Sequence, residues 1–235
     1  MKKLLVLSMI VCIGTLSWAG GRKDSVDRLK NAAEVLNELM ATPDKGIPQE
    51  VFDNAKCIAV VPNMVKAAFV FGGKHGRGVA TCRTANGWSA PAFISIGGGS
   101  WGLQIGAENI DLVMTVMNDQ GMQRMLSNKF QVGGDAAAAA GPVGRHASAG
   151  TDWKADSEIQ TYSRAKGIFA GISLTGAVVQ QDEDSTRDIY RKLIDQRSIL
   201  SGSVTSPAAA SSFMAAVRRS NAKARIAEVH QGEKK

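Results

Sequence analysis

The chain has 235 residues, enough for one or two domains, with 44% apolar and 21% charged residues. That balance excludes a disordered polyampholyte and fits a globular chain that buries a substantial core. The net charge of +7 would suit a polyanion-binding protein, but only if the cations share one face.

Met1-Lys2-Lys3 followed by the apolar run Leu4–Leu16 and then Ser17-Trp18-Ala19 has the layout of a cleaved export signal. The apolar run is shorter than the ~20 residues of a membrane span. Cys12 follows Val11 rather than a small residue, which argues against a lipoprotein. The expectation is therefore a signal peptide over 1–19 and an exported protein of the periplasm or cell envelope. Removing it lowers the net charge to +5, of which +4 lies in 206–235, so the body is nearly neutral.

Val26, Leu29, Ala33, Leu36 and Met40 recur at helical spacing and predict an amphipathic helix ended by Thr42-Pro43. Its polar face mixes Asp27, Arg28, Lys30, Glu34 and Glu38, which suits packing on a core better than lying on a membrane. Pro48 opens a short helix over 49–55. Strands are predicted at 57–61, 66–71, 77–83, 88–96 and 102–107. The expected turns are Pro62-Asn63, the run Gly72–Gly78, Asn86-Gly87 and the glycines Gly97–Gly99. On this reading the chain is organised around a hairpin turned at Gly97–Gly99. Residues 110–117 read as a further strand, and 119–128 as a helix with Met122, Met125 and Leu126 inward. The alanines 136–140 fit either helix or close-packed strand. Strands over 158–162, 168–174 and 177–180 complete the set. Asp182-Glu183-Asp184 opens a helix through Leu193. From Ser206 the chain is a basic, Ala-rich tail whose apolar residues do not keep one face, so loose packing is expected there.

Cys57 and Cys82 remain after cleavage, both in predicted strands. In an oxidising compartment they could bridge neighbouring strands; otherwise they are two buried thiols.

No catalytic constellation emerges. Gly97–Gly102 has the G-x-G-x-x-G form, but a strand rather than a helix follows it, so no helix N-terminus is available for a pyrophosphate. Ser173 lies one residue short of a nucleophile elbow, with Thr175 where glycine is required. His75, His146 and His230 lie in unrelated contexts and suggest no metal site. No cofactor is expected, and the protein reads as a non-enzyme. Gly72–Gly78, carrying Lys74, His75 and Arg77, could form a concave anion site from backbone N–H groups and cations, or be a solvated loop. Gly141–His146 is a weaker second basic loop. Nucleic acid is not expected of an exported chain without a basic, aromatic-studded face.

The blocks Lys66–Gly73, Gly76-x-Gly78-Val79, Gly87–Phe93, Gly98–Gly106, Ala140–Arg145, Tyr162–Gly176 and Ile199-Leu200-Ser201-Gly202 resemble, in order, the SYLF domain family. The likeness covers roughly 25–202 and suggests an exported bacterial member. It implies a non-catalytic lipid-binding module over 20–205, since eukaryotic relatives bind phosphoinositides and yeast endocytic members also bind actin. Export makes a generic anionic phospholipid the better-fitting partner, with an envelope protein partner as the alternative. The helix before the sheet often contributes to lipid contact in the family, which points to Arg22, Lys23, Arg28 and Lys30 alongside Lys74, His75 and Arg77. Trp101 would dip into the interface if exposed. The expected fold is α+β: one domain with a curved, mostly antiparallel sheet, Gly-rich turns, and helices at both ends.

Overall fold

The computed structural model describes residues 16–41, 47–134, 138–140, 157–165, 168–172 and 174–220. Of these, 16–20, 40, 49, 68–71, 100–106, 138–140, 165, 168, 169 and 171 are described by backbone alone. In chain order the elements are α1 (Leu16–Ala41), α2 (Gln49–Asn54), β1 (Cys57–Thr84), β2 (Gly87–Trp88), β3 (Ala92–Val116) and α3 (Asp119–Leu126). They continue with β4 (Lys129–Gln131), β5 (Ala138–Ala140), β6 (Ile159–Ala165), β7 (Ile168–Gly171), β8 (Val178–Gln181), α4 (Glu183–Tyr190), α5 (Gln196–Leu200), a 3-10 turn (Ala208–Ala210) and α6 (211–220).

The expected α+β architecture is found, but its organising hairpin lies elsewhere. β1 and β3 are single strands of 28 and 25 residues, paired antiparallel from Cys57↔Val116 to Ala80↔Ala92. The turn that joins them is the Asn86-Gly87 corner, with Thr84↔Gly87 closing it and Gly87 at φ +109. Gly97–Gly99 is not a turn: Lys74↔Gly98 and Gly73↔Gly99 pair in mid-strand. Gly72–Gly78 is likewise strand rather than loop. Pro62-Asn63 is a bulge, with Asn63 at φ +51 and a register shift between Val61 and Met64.

These glycines serve close approach instead. A straight 28-residue strand would reach roughly 90 Å, far beyond the ~18 Å radius of gyration of a chain this long. β1 therefore doubles back on itself. A Cβ at Gly78 would sit 2.3 Å from the Val60 carbonyl oxygen and 2.9 Å from Val61 Cα, and one at Gly76 would sit 2.6 Å from Val61 Cγ1. The two ends of β1 meet, with the Arg83 N–H donating to Lys56 O at 2.7 Å. There Cys57 and Cys82 lie at bonding distance, 2.04 Å between sulfurs. The predicted pair is thus within one strand that has curled round to meet itself. Its 25-residue separation sets the stabilisation expected from chain entropy at about 3.5 kcal/mol. Reduction, or Cys57→Ser, should lower the urea midpoint accordingly; an unchanged midpoint would mean that the strand ladder alone holds the closure.

The rest of the sheet grows from β3. β6 pairs with its C-terminal half, β8 with Ile94–Gly97, β4 with β8, and β7 with β6; the alanines 138–140 resolve as strand β5, parallel to β6.

Both faces of the curled ribbon are buried. Ala59, Val61, Ala80, Ile94, Leu112 and Met114 pack inward with Met125 and Leu126 of α3 and Leu200 of α5. Ile58, Val60, Val79, Phe93 and Val113 face α1 through Leu29, Ala32, Ala33, Leu36 and Leu39. The apolar stripe of α1 is therefore core. Phe213, Met214 and Val217 of α6 join it fully or nearly buried, so 208–220 packs tightly, contrary to the expectation of a loose tail. Its apolar residues share a face as far as Val217; Ile226 and Val229 lie outside the described residues.

Candidate anion-binding surface

The acids that opened the predicted helix do so, and the first of them does more. Asp182 caps α4, accepting from the Ser185 N–H at 3.1 Å and the Ser185 hydroxyl at 2.8 Å. The same carboxylate accepts from Arg77 Nε at 2.8 Å, Arg77 Nη2 at 3.0 Å and Arg28 Nη1 at 3.0 Å. Its own N–H donates to Phe93 O, so one residue joins α1, β1, β3 and α4. Arg28 also lies over the Phe93 ring, 5.8 Å from its centroid. Burial alone would push the Asp182 carboxyl up. The hydrogen bonds from Arg77 and Ser185 outweigh burial and hold it below the usual carboxylate range. Burial pulls the Arg28 guanidinium below its ordinary value against the attraction of Asp182, whereas hydrogen bonding to Asp182 holds Arg77 above its own.

Two of the predicted anion-binding cations, Arg28 and Arg77, are thus tied to one carboxylate. Arg28 is buried; the Arg77 side chain remains 43% exposed at the rim. Lys74 lies on the opposite face of β1, buried, with its Nζ donating to Thr175 O at 3.4 Å. His75 is exposed. Arg22 donates to the Asp188 carbonyl at 2.5 Å, and Lys23 and Lys30 flank Asp27 at 4.0 and 3.5 Å. These three line a groove of about 970 Å³ between α1 and α4, together with Arg187, Arg191, Asp184 and Asp188. Five cations there face three carboxylates. The structure therefore gathers Arg22, Lys23 and Lys30 with Arg77 nearby, and places Lys74 apart. Trp101 pairs with Phe71 in the β1–β3 register, and its side chain is outside what is described. The loop 141–146 and residues 221–235, with their cations, are likewise outside the described residues.

Sequence reasoning missed Arg187 and Arg191, which face α1 only because α4 packs along it. It also missed two structural arginines. Arg164 of β6 bridges Asp111, at 2.5 Å, and Glu38 of α1. Arg83 donates to the carbonyls of Phe52, Asp53 and Ala55, closing the C-terminal end of α2, and stacks 4.6 Å from the Trp88 ring. Among the described residues, no group of three or more His, Cys, Asp or Glu could hold a metal ion. The glycines 97–102 lie inside β3, with no helix starting after them.

The described residues define an α+β domain that presents a charged groove. The chain belongs to the Ysc84 (SYLF) family: residues 97–220, more than half its length, match the family described as "Las17-binding protein actin regulator". It is 39% identical over 168 residues to the SH3 domain-containing protein PJ696.02 of Schizosaccharomyces pombe, covering 70% of this chain and 39% of that one. Over 188 residues it is 33% identical to SH3 domain-containing YSC84-like protein 1 of Bos taurus, covering 77% and 55%. Over 191 residues it is 34% identical to Protein YSC84 of Saccharomyces cerevisiae, covering 77% and 40%. The chain thus spans between 39% and 55% of these relatives' lengths. The family description names binding and regulation, which supports a non-catalytic binding role.

Proposed function

We propose that this domain binds anionic phospholipid at a membrane surface. The observation that carries the reading is the α1–α4 groove, where Arg22, Lys23, Lys30, Arg187 and Arg191 outnumber Asp27, Asp184 and Asp188. It adjoins the half-exposed Arg77, one of two guanidiniums sharing a single carboxylate. Excess positive charge at a surface attracts anionic headgroups at about 1 kcal/mol per cation and weakens with salt. Because the apolar stripe of α1 is core, contact on this reading comes from the polar side of that helix and is peripheral. No helix among the described residues is long and apolar enough to cross a membrane. Trp101 remains in the proposal as an interfacial anchor. The protein acts, on this reading, after export and cleavage near Ala19, which the intact mass of the protein from cells would check.

Co-sedimentation with phosphatidylglycerol-containing vesicles at low salt is expected, with loss on neutral vesicles. Lys23→Glu combined with Lys30→Glu, both exposed, should weaken binding at least about thirtyfold, the worth of two lost cations at about 1 kcal/mol each. Undiminished binding by that double variant, or none by the parent, would refute the groove reading. The second reading, a protein-interaction module, draws on the family description as a Las17-binding protein and gains if no vesicle is bound.

A further inference from the structure

A second groove, of about 490 Å³, runs between α3 and β4 and shares no lining residue with the α1–α4 surface. That volume is within the ~300–1,000 Å³ of ligand sites. Helical spacing makes it polar: Gln120, Gln123, Arg124 and Ser127 line it, while Gly121, Met125 and Leu126 face the core. The charged groups among its described lining residues are Arg124 and Lys129, both cations. Gln123 Oε1 accepts from Arg197 Nη1 at 3.2 Å, which leaves the amide N–H donors of Gln123 for a ligand. The end of α3 is fixed in place. Gln196 Nε2 donates to the Met125 and Ser127 carbonyls at 2.5 and 3.0 Å, and the Ser127 hydroxyl donates to Lys129 O at 3.1 Å.

The opposite wall is a sheet edge. Among the described strands, β4 pairs with β8 alone. Asn128 O accepts from the Gln181 N–H at 2.9 Å, and the Val132 N–H donates to Ala177 O at 2.8 Å. Antiparallel alternation therefore aims the main chain of Phe130 at β8 and that of Lys129 at the other edge. Lys129 O keeps one lone pair beyond its bond from Ser127, and the Lys129 N–H has no partner among the described residues. An open edge beside two cations matches an extended peptide. The edge supplies main-chain hydrogen bonds, and the cations select its acidic side chains.

We propose that the α3–β4 groove binds an extended acidic segment of a partner protein. The segment adds to β4 as a strand at Lys129 and places a carboxylate against Arg124. The lipid surface uses other residues, so the two readings stand or fall separately.

The test is fluorescence anisotropy of a labelled peptide of alternating Val and Glu, about six residues long to match a strand, beside its Val and Lys counterpart. With the full chain, the acidic peptide should bind at least about tenfold more tightly, the worth of one charge-assisted hydrogen bond. Arg124→Glu should remove that margin and leave vesicle binding unchanged. Lys129→Pro should abolish binding, because proline deletes the N–H that faces the peptide and spares the ladder to β8. Lys129→Gln, which removes the charge alone, should keep part of it. Amide exchange reads the same contact without a variant, so it decides the matter should Lys129→Pro fail to fold. The Lys129 N–H should exchange fast in the free chain and slowly with the acidic peptide, while Phe130 stays slow throughout. Slow exchange at Lys129 in the free chain would mean that the edge is already covered, and would overturn the proposal. So would no binding, equal binding of the two peptides, or binding that survives in a folded Lys129→Pro. Binding lost instead in the Lys23→Glu, Lys30→Glu double variant would move the peptide to the α1–α4 groove and overturn it as well.

Discussion

Replacing Asp182 by alanine is expected to destabilise the domain by about 5 kcal/mol. It removes the partner of a buried arginine, which alone costs ~3–5 kcal/mol, and with it the N-cap of α4, worth ~1 kcal/mol. Arg28, 9% exposed, would lose its hydrogen-bonded carboxylate between α1 and the sheet and keep only the weaker attraction of Asp24. The measurement is urea unfolding of the variant beside Arg77→Ala. Arg77 is half in solvent, so its loss should cost distinctly less. Equal effects would show that Arg28 finds another anion. The same carboxylate sets a pH dependence. Its folded pKa is depressed, so its stabilisation is present above the unfolded value of about 3.9 and is lost as pH falls through the folded value. In Asp182→Asn, acid unfolding should lose that component, and the variant's stability should vary less with pH below ~4 than the parent's.

Gly78→Val is expected to cost at least the ~3 kcal/mol upper range of ordinary overpacking, because the added atoms meet backbone that cannot swing away. The Cβ alone falls 2.3 Å from Val60 O. Gly73 provides the control: a Cβ there meets nothing within 4 Å, and Gly73→Ala should be close to neutral, with less unfolded-chain entropy to overcome. Both glycines occupy the stretch that reads as a loop in sequence. If Gly78→Val unfolds at the parent's urea midpoint, β1 does not double back against Val60 and Val61 as described.

Local chemistry fixes much of this chain. The spacing of Leu29, Ala33 and Leu36 specifies α1 and its buried stripe, the pair Asn86-Gly87 specifies the hairpin corner, and Asp182 specifies the start of α4. The ordered Gly-Trp and Gly-Gly-Ser-Trp-Gly blocks suffice to place the chain in its family. Tertiary structure decides what the remaining glycines mean. A glycine that makes a turn and a glycine that admits a neighbour are identical in sequence, and only the doubling back of β1 separates Gly78 from Gly87. It also decides which cations are available. Lys74, His75 and Arg77 lie within four positions, but strand alternation sends Lys74 to one face and Arg77 to the other, where Asp182, 105 residues away, claims it. Arg187 and Arg191 face the groove only because α4 packs along α1. Charge is a property of residues, but an anion-binding surface is a property of which faces meet, and spacing along the chain does not encode a contact between strand 1 and helix 4.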